Sequence, residues 1–376
     1  MVSKLQFGMV GGGEGAFIGP VHRMAAEMDG LATLVCGAFS AAPEKSVASG
    51  VARYGLPAER CYGTYEEMFA AEARRAPGDG MDFVIIATPN HLHVPIAMAA
   101  LRAGFHVVCD KPLALNLDEA QLLSTVLAET DRQFALTHNY TGYPMIREAQ
   151  QLVRAGVLGS IRRVDCRYLQ GWLSSELGDH KQASWRTDPA RSGAAGAFGD
   201  IGTHAHNLVR FVTELEISEL CADLTTFIPG RQLEDDGNVL LRFANGARGT
   251  IAASQIALGK ENDLSLGVYG ELASLEWEQQ DANSLIIRYA DRPLEVRRSG
   301  GPGIGASAHS AGRLPPGHPE GYLEAFAEIY RNFCLGLLGK PGALPIPGIE
   351  DGIAGMRFVQ QVVASAQGGG QWVPWD

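Results

Sequence analysis

The sequence predicts an α/β protein: a doubly wound parallel sheet over residues 1–138, then an α+β domain with an open, mostly antiparallel sheet over residues 139–376. Two observations predict this. Short apolar runs alternate with amphipathic helical patterns as far as Thr137, which is typical of βαβ units. Beyond Thr137, strand-like segments follow one another with tight turns such as Asn245-Gly246, a hairpin signal.

Five strands are predicted in the N-terminal domain, over Leu5–Val10, Thr33–Phe39, Phe83–Ala87, Phe105–Cys109 and Phe134–Thr137. Helical patterns between them cover Val21–Met28, Tyr65–Ala73, Val94–Ala103 and Leu117–Ala128. Right-handed crossovers would place the C-terminal ends of the strands at one edge of the sheet, where ligands bind in such folds. The turns after the strands are therefore the first places to look for chemistry.

The C-terminal domain is predicted to start with a helix over Pro144–Ala155, a strand over Ile161–Gln170 and a helix from Gly202 to Phe211. Further strands are expected over Ile217–Phe227, Val239–Phe243, Arg248–Ser254, Leu264–Tyr269 and Leu285–Tyr289. Segment 299–317 is rich in Gly and Pro and predicts a long loop. Helices near Tyr322–Leu338 and Gly352–Gln367 complete the domain.

Composition excludes several classes of protein. The net charge of -11 argues against a general nucleic-acid or anionic-membrane binder. The six cysteines include no CxxC pair, so neither a zinc knuckle nor a dithiol redox motif is expected, and free thiols fit a reducing compartment. No apolar stretch is long enough to cross a bilayer and no secretory pattern opens the chain, so we expect a cytoplasmic protein without a metal.

A glycine-rich turn, Gly11–Ala16, lies between the first strand and a helical pattern. Such a turn brings backbone close to a pyrophosphate, and the following helix N-terminus supplies amide donors. Glycine-rich turns also occur without a ligand, but the βαβ context favours nucleotide binding. The third glycine position is Ala16, or Gly19 if residues 16–18 are an insertion. The cofactor is predicted to be NAD or NADP, and its candidate contacts here are Gly11, Gly13, Ala16, Phe17 and Ile18.

The end of the second strand bears on cofactor choice. NAD-preferring sites usually carry an acid there that binds the ribose 2′-hydroxyl. This chain has Ser40 instead, with Lys45 one helical turn on. A hydroxyl and an ammonium could accept a 2′-phosphate, which favours NADP slightly, although Ser40 could also simply cap a helix.

Two further turns follow strands at the same edge, Thr88-Pro89-Asn90 and Asp110-Lys111-Pro112. Packing explains Lys111 poorly, because a buried ammonium is costly unless it is paired. It is either a surface lysine in a turn or a charge that stabilises a developing alkoxide beside a nicotinamide.

Asp200 and His204 are four residues apart, so one helical turn would place them on one face. Histidine suits the removal of a hydroxyl proton near neutral pH, and a carboxylate beside it can orient the ring and stabilise its cation. The alternative is a helix-capping aspartate beside a core histidine.

Taken in order, these residues resemble the Gfo/Idh/MocA family, named after glucose–fructose oxidoreductase, inositol dehydrogenase and a rhizopine catabolism protein. The resemblance covers nearly the whole chain and rests on the glycine-rich turn, Ala87–His91, Asp110–Pro112, Trp185-Arg186 and Asp200–His204. It implies an N-terminal Rossmann domain, hydride transfer between NAD(P) and a CH–OH group, and a homodimer or homotetramer formed through the C-terminal sheet. Val239, Leu240, Leu241 and Phe243 would place apolar side chains on both faces of their strand, so one sheet face is expected to need a partner.

By this resemblance Lys111, Asp200 and His204 are the catalytic residues: His204 takes the hydroxyl proton, Asp200 orients it and Lys111 stabilises the alkoxide. Further cofactor contacts implied are Thr88, Pro89, Asn90, His93, Asp110, Lys111, Trp185 and Arg186, with His22 nearby. Three departures stand out. Asp110 replaces the usual glutamate, the glycine-rich turn is about three residues longer than usual, and Ser40 replaces the acid.

Substrate contacts are predicted from segments expected to line the cleft, because aromatic faces suit a sugar ring and polar tips suit its hydroxyls. The candidates are Lys111, Tyr140, Trp172, Asp200, His204 and His318, with Lys181, Trp185, Arg186, His206 and Tyr322 as further ones. The predicted function is oxidation of a secondary hydroxyl of a sugar, glycoside or cyclic polyol such as inositol. The alternatives are a non-catalytic nucleotide-binding regulator resembling a co-repressor, or a dehydrogenase of the same fold that acts on a dihydrodiol or a tetrapyrrole.

Overall fold

The computed structural model describes residues 4–177 and 181–375, with the side chains of Lys181 and Gln182 excepted. The predicted substrate contact of Lys181 therefore lies outside the described residues. The chain forms two compact units. The first contains the residues up to His138 and Phe326–Ile353, and the second contains Asn139–Ala325 and the residues from Ala354 onwards.

The first unit is built on a parallel five-stranded sheet, which confirms the fold class predicted for this part of the chain. Its strands are β1 (Leu5–Gly11), β2 (Ala32–Ala38), β3 (Phe83–Ala87), β4 (His106–Cys109) and β5 (Phe134–Leu136), in the order β2-β1-β3-β4-β5. The order reverses between β1 and β3, the position at which ligands bind in open α/β sheets. The glycine-rich turn follows β1 and therefore lies at this point.

Five helices connect these strands: α1 (Ile18–Met28), α2 (Pro43–Tyr54), α3 (Tyr65–Glu72), α4 (His93–Arg102) and α5 (Leu117–Ala128). The apolar pattern does not mark α2, because small residues such as Ser46, Ser49 and Gly50 form much of its buried face. Segment 326–353, which the sequence analysis assigned to the C-terminal domain, packs with this unit. In it, Phe333 lies edge-on to Phe83 with ring centroids 5.4 Å apart.

The second unit contains a nine-stranded mixed sheet. Its strands are β6 (Ile161–Leu169), β7 (Ile217–Thr225), β8 (Asp236–Phe243), β9 (Arg248–Ser254), β10 (Asp263–Gly270), β11 (Ala273–Glu278), β12 (Ser284–Tyr289), β13 (Glu295–Arg298) and β14 (Val373–Pro374). The order is β13-β12-β11-β10-β6-β9-β8-β7-β14, and every pair is antiparallel except β6 with β9. This confirms the mostly antiparallel sheet.

The helices after β5 are α6 (Pro144–Arg154), α7 (Lys181–Arg186), α8 (Pro189–Ser192), α9 (Thr203–Thr213), α10 (Ala306–Ala311), α11 (Tyr322–Leu337) and α12 (Ile349–Gln367). Most of α11 belongs to the first unit. Ile146 of α6, Leu208 of α9 and Phe358 of α12 are fully buried in one apolar core with the strand residues. The segment 299–317, predicted as a loop throughout, contains α10, because Ala308 and Ala311 bury one side of a short helix.

The side chains of Val239–Phe243 alternate between the core and the open face of the sheet. Val239, Leu241 and Phe243 are buried, whereas Leu240 is 48% exposed. A strand alternates its side chains between faces, so this run contributes only Leu240 and Arg242 to the open face. Within the described part of the chain, no helix is long and apolar enough to cross a membrane, and no group of side chains suited to a metal ion is found.

Candidate active site

The glycine-rich turn of the first unit is packed between the ends of β2 and β3, the two strands on either side of β1. A Cβ at Gly11 would lie 2.3 Å from the Ala87 carbonyl oxygen, and one at Gly13 would lie 2.3 Å from that of Phe39. Gly11 also has a φ of 90°, in the left-handed region. Helix α2 holds the turn from the other side, since the Tyr54 hydroxyl donates to the Gly12 carbonyl at 2.5 Å. The turn therefore tolerates no side chain at these two positions.

The third glycine position is resolved by packing. A Cβ at Gly19, in the first turn of α1, would lie 2.4 Å from the Gly12 Cα, so Gly19 allows the helix to contact the turn closely. Ala16 lies before the helix and donates its backbone N–H to the Gly13 carbonyl at 3.0 Å. Gly19 therefore makes the close helix–turn contact that the third glycine position is expected to make. Phe17, at the start of α1, is 65% exposed.

The residues present fit a dinucleotide at this edge of the sheet. The turn forms a cradle that a Cβ would fill, and a helix N-terminus follows it. Thr88, directly after β3, has a buried hydroxyl with no hydrogen-bond partner among the described residues. A buried hydroxyl without a partner is costly unless a ligand or water satisfies it.

Ser40 lies between β2 and α2, and Lys45 lies in the first turn of α2. The Ser40 hydroxyl accepts a hydrogen bond from the Ala42 backbone N–H at 3.2 Å, and Lys45 is exposed. Both side chains lie just beyond the strand end at which an acid is usual in NAD-preferring sites.

His93 links the turns that follow β3 and β4. Its Nδ1 lies 2.7 Å from the Pro112 carbonyl oxygen and its Nε2 lies 2.9 Å from that of Thr88. Burial lowers the pKa of His93, although Asp110 and the two carbonyls act in the opposite direction. His93 therefore bridges the two turns through its two ring nitrogens. Asn90, in the turn after β3, is also buried.

Asp110 is held in its ionised form. Its Oδ1 accepts hydrogen bonds from the Thr137 hydroxyl at 2.7 Å and from the Lys111 backbone N–H at 2.9 Å, and His22 Nε2 lies 3.8 Å away. Burial alone would raise the pKa of Asp110, but His22, Lys111 and His93 together hold it well below its usual range. Lys111 itself is half-buried and precedes a cis peptide bond to Pro112. Asp110, which replaces the longer glutamate usual at this position, is thus a fixed negative charge next to Lys111 in the chain.

The second unit carries Asp200 on an unusual helical turn. Phe198–Gly202 is π-helical and runs directly into α9, with the Thr203 N–H donating to the Phe198 carbonyl. Single π-helical turns are rare and occur frequently at functional sites. Asp200 lies on this turn and His204 in the first turn of α9, so the helix junction presents both groups.

Asp200 is oriented by two donors. Arg186 Nε and Gln255 Nε2 both donate to its Oδ2, at 3.1 Å and 2.9 Å. The Arg186 guanidinium lies 4.2 Å from the ring centroid of Trp185 and 5.9 Å from that of Trp172, which are cation–π distances. Four residues predicted from the sequence are therefore brought together with Gln255, which the sequence analysis missed.

His204 lies among tyrosine rings. Tyr140 is edge-on to it at 4.7 Å between centroids, and the Tyr140 hydroxyl lies 2.5 Å from that of Tyr168. Tyr168 donates to Asn262 Oδ1 at 3.2 Å, which also accepts a hydrogen bond from Gln170 at 2.6 Å.

The network continues to the tryptophan, since Trp172 Nε1 donates to Gln170 Oε1 at 2.8 Å. The sequence analysis missed Tyr168, Gln170 and Asn262. Their shared signal is position: they lie at the end of β6 and the start of β10, which are paired strands. Asn262 also has a φ of 55°, a left-handed conformation that Asn tolerates better than most residues.

Of the remaining predicted substrate contacts, one lies in the core and another is exposed. His206 stacks on Phe358 with centroids 4.5 Å apart and approaches Trp375 at 5.7 Å, so it belongs to the apolar core. His318 is exposed on its loop, with Nδ1 3.3 Å from the Pro315 carbonyl oxygen, and its role stays a prediction. Tyr322 lies 6.3 Å from Tyr140 between ring centroids.

Two family models match the chain. The model described as an oxidoreductase family with an NAD-binding Rossmann fold matches residues 5–138, and the GFO/IDH/MocA C-terminal domain matches residues 146–276. YfiI of Bacillus subtilis, named an uncharacterized oxidoreductase, is 35% identical over 99% of this chain and 98% of its own length.

Solved structures agree with this. An inositol dehydrogenase homolog from Azotobacter vinelandii, complexed with NADH and myo-inositol, has 34% identity and a TM-score of 0.92, covering 100% of this chain and 98% of its own. Levoglucosan dehydrogenase in complex with NADH and levoglucosan has 26% identity and a TM-score of 0.85, covering 99% of both chains. The chain therefore belongs to the Gfo/Idh/MocA family of NAD-binding oxidoreductases, which includes sugar and polyol dehydrogenases.

Proposed function

We propose that the protein is an NAD(P)-dependent dehydrogenase that oxidises a secondary hydroxyl of a sugar, glycoside or cyclic polyol such as inositol. The observation that carries this proposal is the Asp200 carboxylate, which Arg186 and Gln255 hold in place on the helical turn that leads directly into His204. A regulator that only bound a nucleotide would have no use for an oriented proton acceptor. The aromatic and amide groups around this pair suit a polyhydroxylated ring.

In this proposal, His204 accepts the proton of the substrate hydroxyl and Asp200 stabilises the resulting imidazolium. Two donors on Asp200 Oδ2 restrict the rotation of its carboxylate, so its orientation is set before substrate binds. The Lys111 ammonium stabilises the negative charge that develops on the substrate oxygen. Lys111 in turn helps to hold the pKa of the neighbouring Asp110 well below its usual range. A bound nicotinamide supplies the hydride acceptor.

We assign the cofactor to the edge of the first sheet. The glycine-rich turn would receive the pyrophosphate, with Gly11 and Gly13 giving the close approach. The turns after β3 and β4 contribute Thr88 and Asp110. The buried Thr88 hydroxyl has no hydrogen-bond partner among the described residues, so it could bind the cofactor. Phe17, Ile18, Pro89, Asn90, Trp185 and Arg186 remain proposed contacts, and Tyr140 and Trp172 remain proposed substrate contacts.

NADP is proposed as the slightly favoured cofactor. No acid occupies position 40, and Ser40 and Lys45 together offer a hydroxyl and a cation to a 2′-phosphate. The two solved structures named above contain NADH, so both cofactors have to be compared directly.

A homodimer or homotetramer formed through the open face of the sheet is proposed as well. That face presents Leu240, 48% exposed, among charged residues such as Arg242 and Arg167. A polar sheet face of this kind would associate through side-chain pairing rather than through a continuous apolar patch. Light scattering that gave a monomer mass at micromolar protein would contradict it.

The test of the main proposal is cofactor binding followed by a substrate screen. NADH and NADPH are titrated separately against the purified protein by following cofactor fluorescence, and inositols, hexopyranosides and anhydrosugars are then screened for nicotinamide reduction. Tight binding with turnover on a cyclic polyol would support the dehydrogenase. Turnover confined to a dihydrodiol, or binding without turnover on any donor, would favour the alternatives. Failure to bind either cofactor would refute the proposal.

A further inference from the structure

Glu234 is a buried carboxylate two residues before the start of β8. Both of its oxygens accept backbone hydrogen bonds: Oε2 from the Gly196 N–H and Oε1 from the Phe198 N–H, each at 2.9 Å. Its own carbonyl accepts the Ala197 N–H at 3.1 Å. Three consecutive amides, those of residues 196–198, are therefore bound by one residue.

The segment that Glu234 binds leads directly into the π-helical turn. The Asp200 N–H donates to the Gly196 carbonyl at 2.9 Å. Gly196, which Glu234 binds through its N–H, therefore also binds the backbone of Asp200. The contact is close, since a Cβ at Gly196 would lie 2.1 Å from the Glu234 carbonyl oxygen. Little displacement of this segment is possible while Glu234 stays in place.

The same stretch of chain also holds the other side of Asp200. The Gln255 N–H donates to the Asp235 carbonyl at 2.8 Å, and Gln255 Nε2 donates to Asp200 Oδ2. Residues 234–235 therefore fix both the backbone that carries Asp200 and the amide that orients its carboxylate. The path from Glu234 to Asp200 contains only two hydrogen bonds and Gly196.

A carboxylate at this position is costly. Burial raises the pKa of Glu234 to about 6, against the opposing effect of the Gly196 and Phe198 amides. A glutamine of the same size would avoid the burial of charge, but it offers one acceptor oxygen and a donor amide. Only a carboxylate accepts hydrogen bonds on both oxygens, which is what two converging N–H groups require.

We infer that Glu234 is a positioning residue for Asp200, and that its two hydrogen bonds to residues 196 and 198 set the orientation of the Asp200–His204 pair. This inference rests on the proposed function, because it assumes that the pair acts on the substrate hydroxyl. Glu234 does not itself contact substrate.

The experiment compares Glu234→Gln with a matched control, Glu148→Gln. Glu148 is another buried carboxylate of the second unit, and it accepts the Gly305 N–H at 2.6 Å while pairing with Arg297. For each variant, kcat and KM are measured on the substrate from the screen, cofactor affinity is measured by fluorescence, and amide hydrogen exchange is followed in peptides that cover residues 196–200.

For Glu234→Gln we expect kcat to fall about tenfold, the order expected from one hydrogen bond lost in the segment that carries Asp200, with cofactor affinity unchanged. Exchange at residues 196–200 should become faster. Glu148→Gln should leave both the exchange and kcat near wild type. If Glu234→Gln fails to fold, Glu234→Asp, which keeps the charge but shortens the reach, should give the same pattern.

A kcat within twofold of wild type despite faster exchange would overturn the inference, and so would a loss of kcat without any change in exchange. Failure of the proposed function is separately visible. In that case His204→Ala retains turnover, or no polyol is oxidised by the wild type, whereas the exchange result still reports whether Glu234 holds this segment.

Discussion

Gln255 donates a hydrogen bond to the same oxygen of Asp200, Oδ2, that Arg186 contacts, so two donors from different parts of the second unit converge on one carboxylate oxygen. Gln255 follows β9, whose last residue, Ser254, pairs with Leu169 of β6. The parallel register of β6 and β9 therefore delivers the Gln255 amide and the polar residues after β6 to one end of the sheet.

We expect Gln255→Leu to lower kcat about 3–10-fold, the range for losing one hydrogen bond of ordinary strength, because Asp200 would then be oriented by Arg186 without the amide. Cofactor affinity should stay unchanged. Steady-state kinetics with saturating cofactor would measure this. Gln361→Leu is the control. Gln361 lies in α12 and donates its side-chain amide to the Pro374 carbonyl of β14, outside the Asp200 network described above. Equal effects of both variants would contradict the assignment.

Lys111→Ala and His204→Ala should each reduce turnover by roughly 10²–10⁴-fold, as expected for a lost acid–base or charge-stabilising group. The affinity for NAD(P)H should remain within a fewfold of wild type. Parallel measurements of kcat and of cofactor fluorescence titrations separate the two quantities. Near-normal turnover in either variant would remove that residue from the proposed mechanism.

Gly13→Ala should lose at least about tenfold in cofactor affinity, because the new methyl would lie 2.3 Å from the Phe39 carbonyl and close the approach to the pyrophosphate. Gly355→Ala is the matched control, since a Cβ there meets nothing within 4 Å inside α12. The control should be neutral or more stable by about 0.5–1 kcal/mol, the helix preference of Ala over Gly. Fluorescence titration and thermal unfolding would check both. Unaltered binding by Gly13→Ala would argue against this turn as the cofactor site.

Ser40→Asp should shift cofactor preference towards NAD. A carboxylate at the end of β2 can bind the ribose 2′-hydroxyl and repels a 2′-phosphate. The ratio of kcat/KM with NADP to that with NAD should fall at least about tenfold, because the repulsion between two negative charges at close range weakens NADP binding by about that factor or more. An unchanged ratio would show that Ser40 does not lie beside the ribose.

The sequence could predict the two sheets and the residues at strand ends, because these depend on local patterns: Lys111 follows a buried strand, and Asp200 and His204 are one helical turn apart. It could not predict Gln255 or Glu234. Their roles depend on pairing between strands distant in the chain, for which no local pattern exists. His206 illustrates the same limit, because two residues on from His204 a helix turns its side chain into the core.

That core position makes His206 a source of acid sensitivity. Burial, with a smaller effect from Arg210, lowers the pKa of His206 from 6.5 to about 3. Its Nδ1 has no hydrogen-bond partner among the described residues, so the protonated ring would add a buried charge to an unsatisfied polar atom. The unfolded chain takes up this proton near its ordinary pKa, whereas the folded chain does not.

The contribution of a neutral His206 to stability is complete above pH 6.5 and is lost as the pH falls from 6.5 towards 3, at about 1.4 kcal/mol for each pH unit in that window. His206→Phe keeps a ring against Phe358 and removes the titrating group, so the free energy of unfolding should depend less steeply on pH over this range. Denaturant unfolding at several pH values would measure it, with His309→Phe at an exposed histidine as the control. Identical slopes for the wild type and His206→Phe would show that this histidine is protonated without penalty in the folded protein.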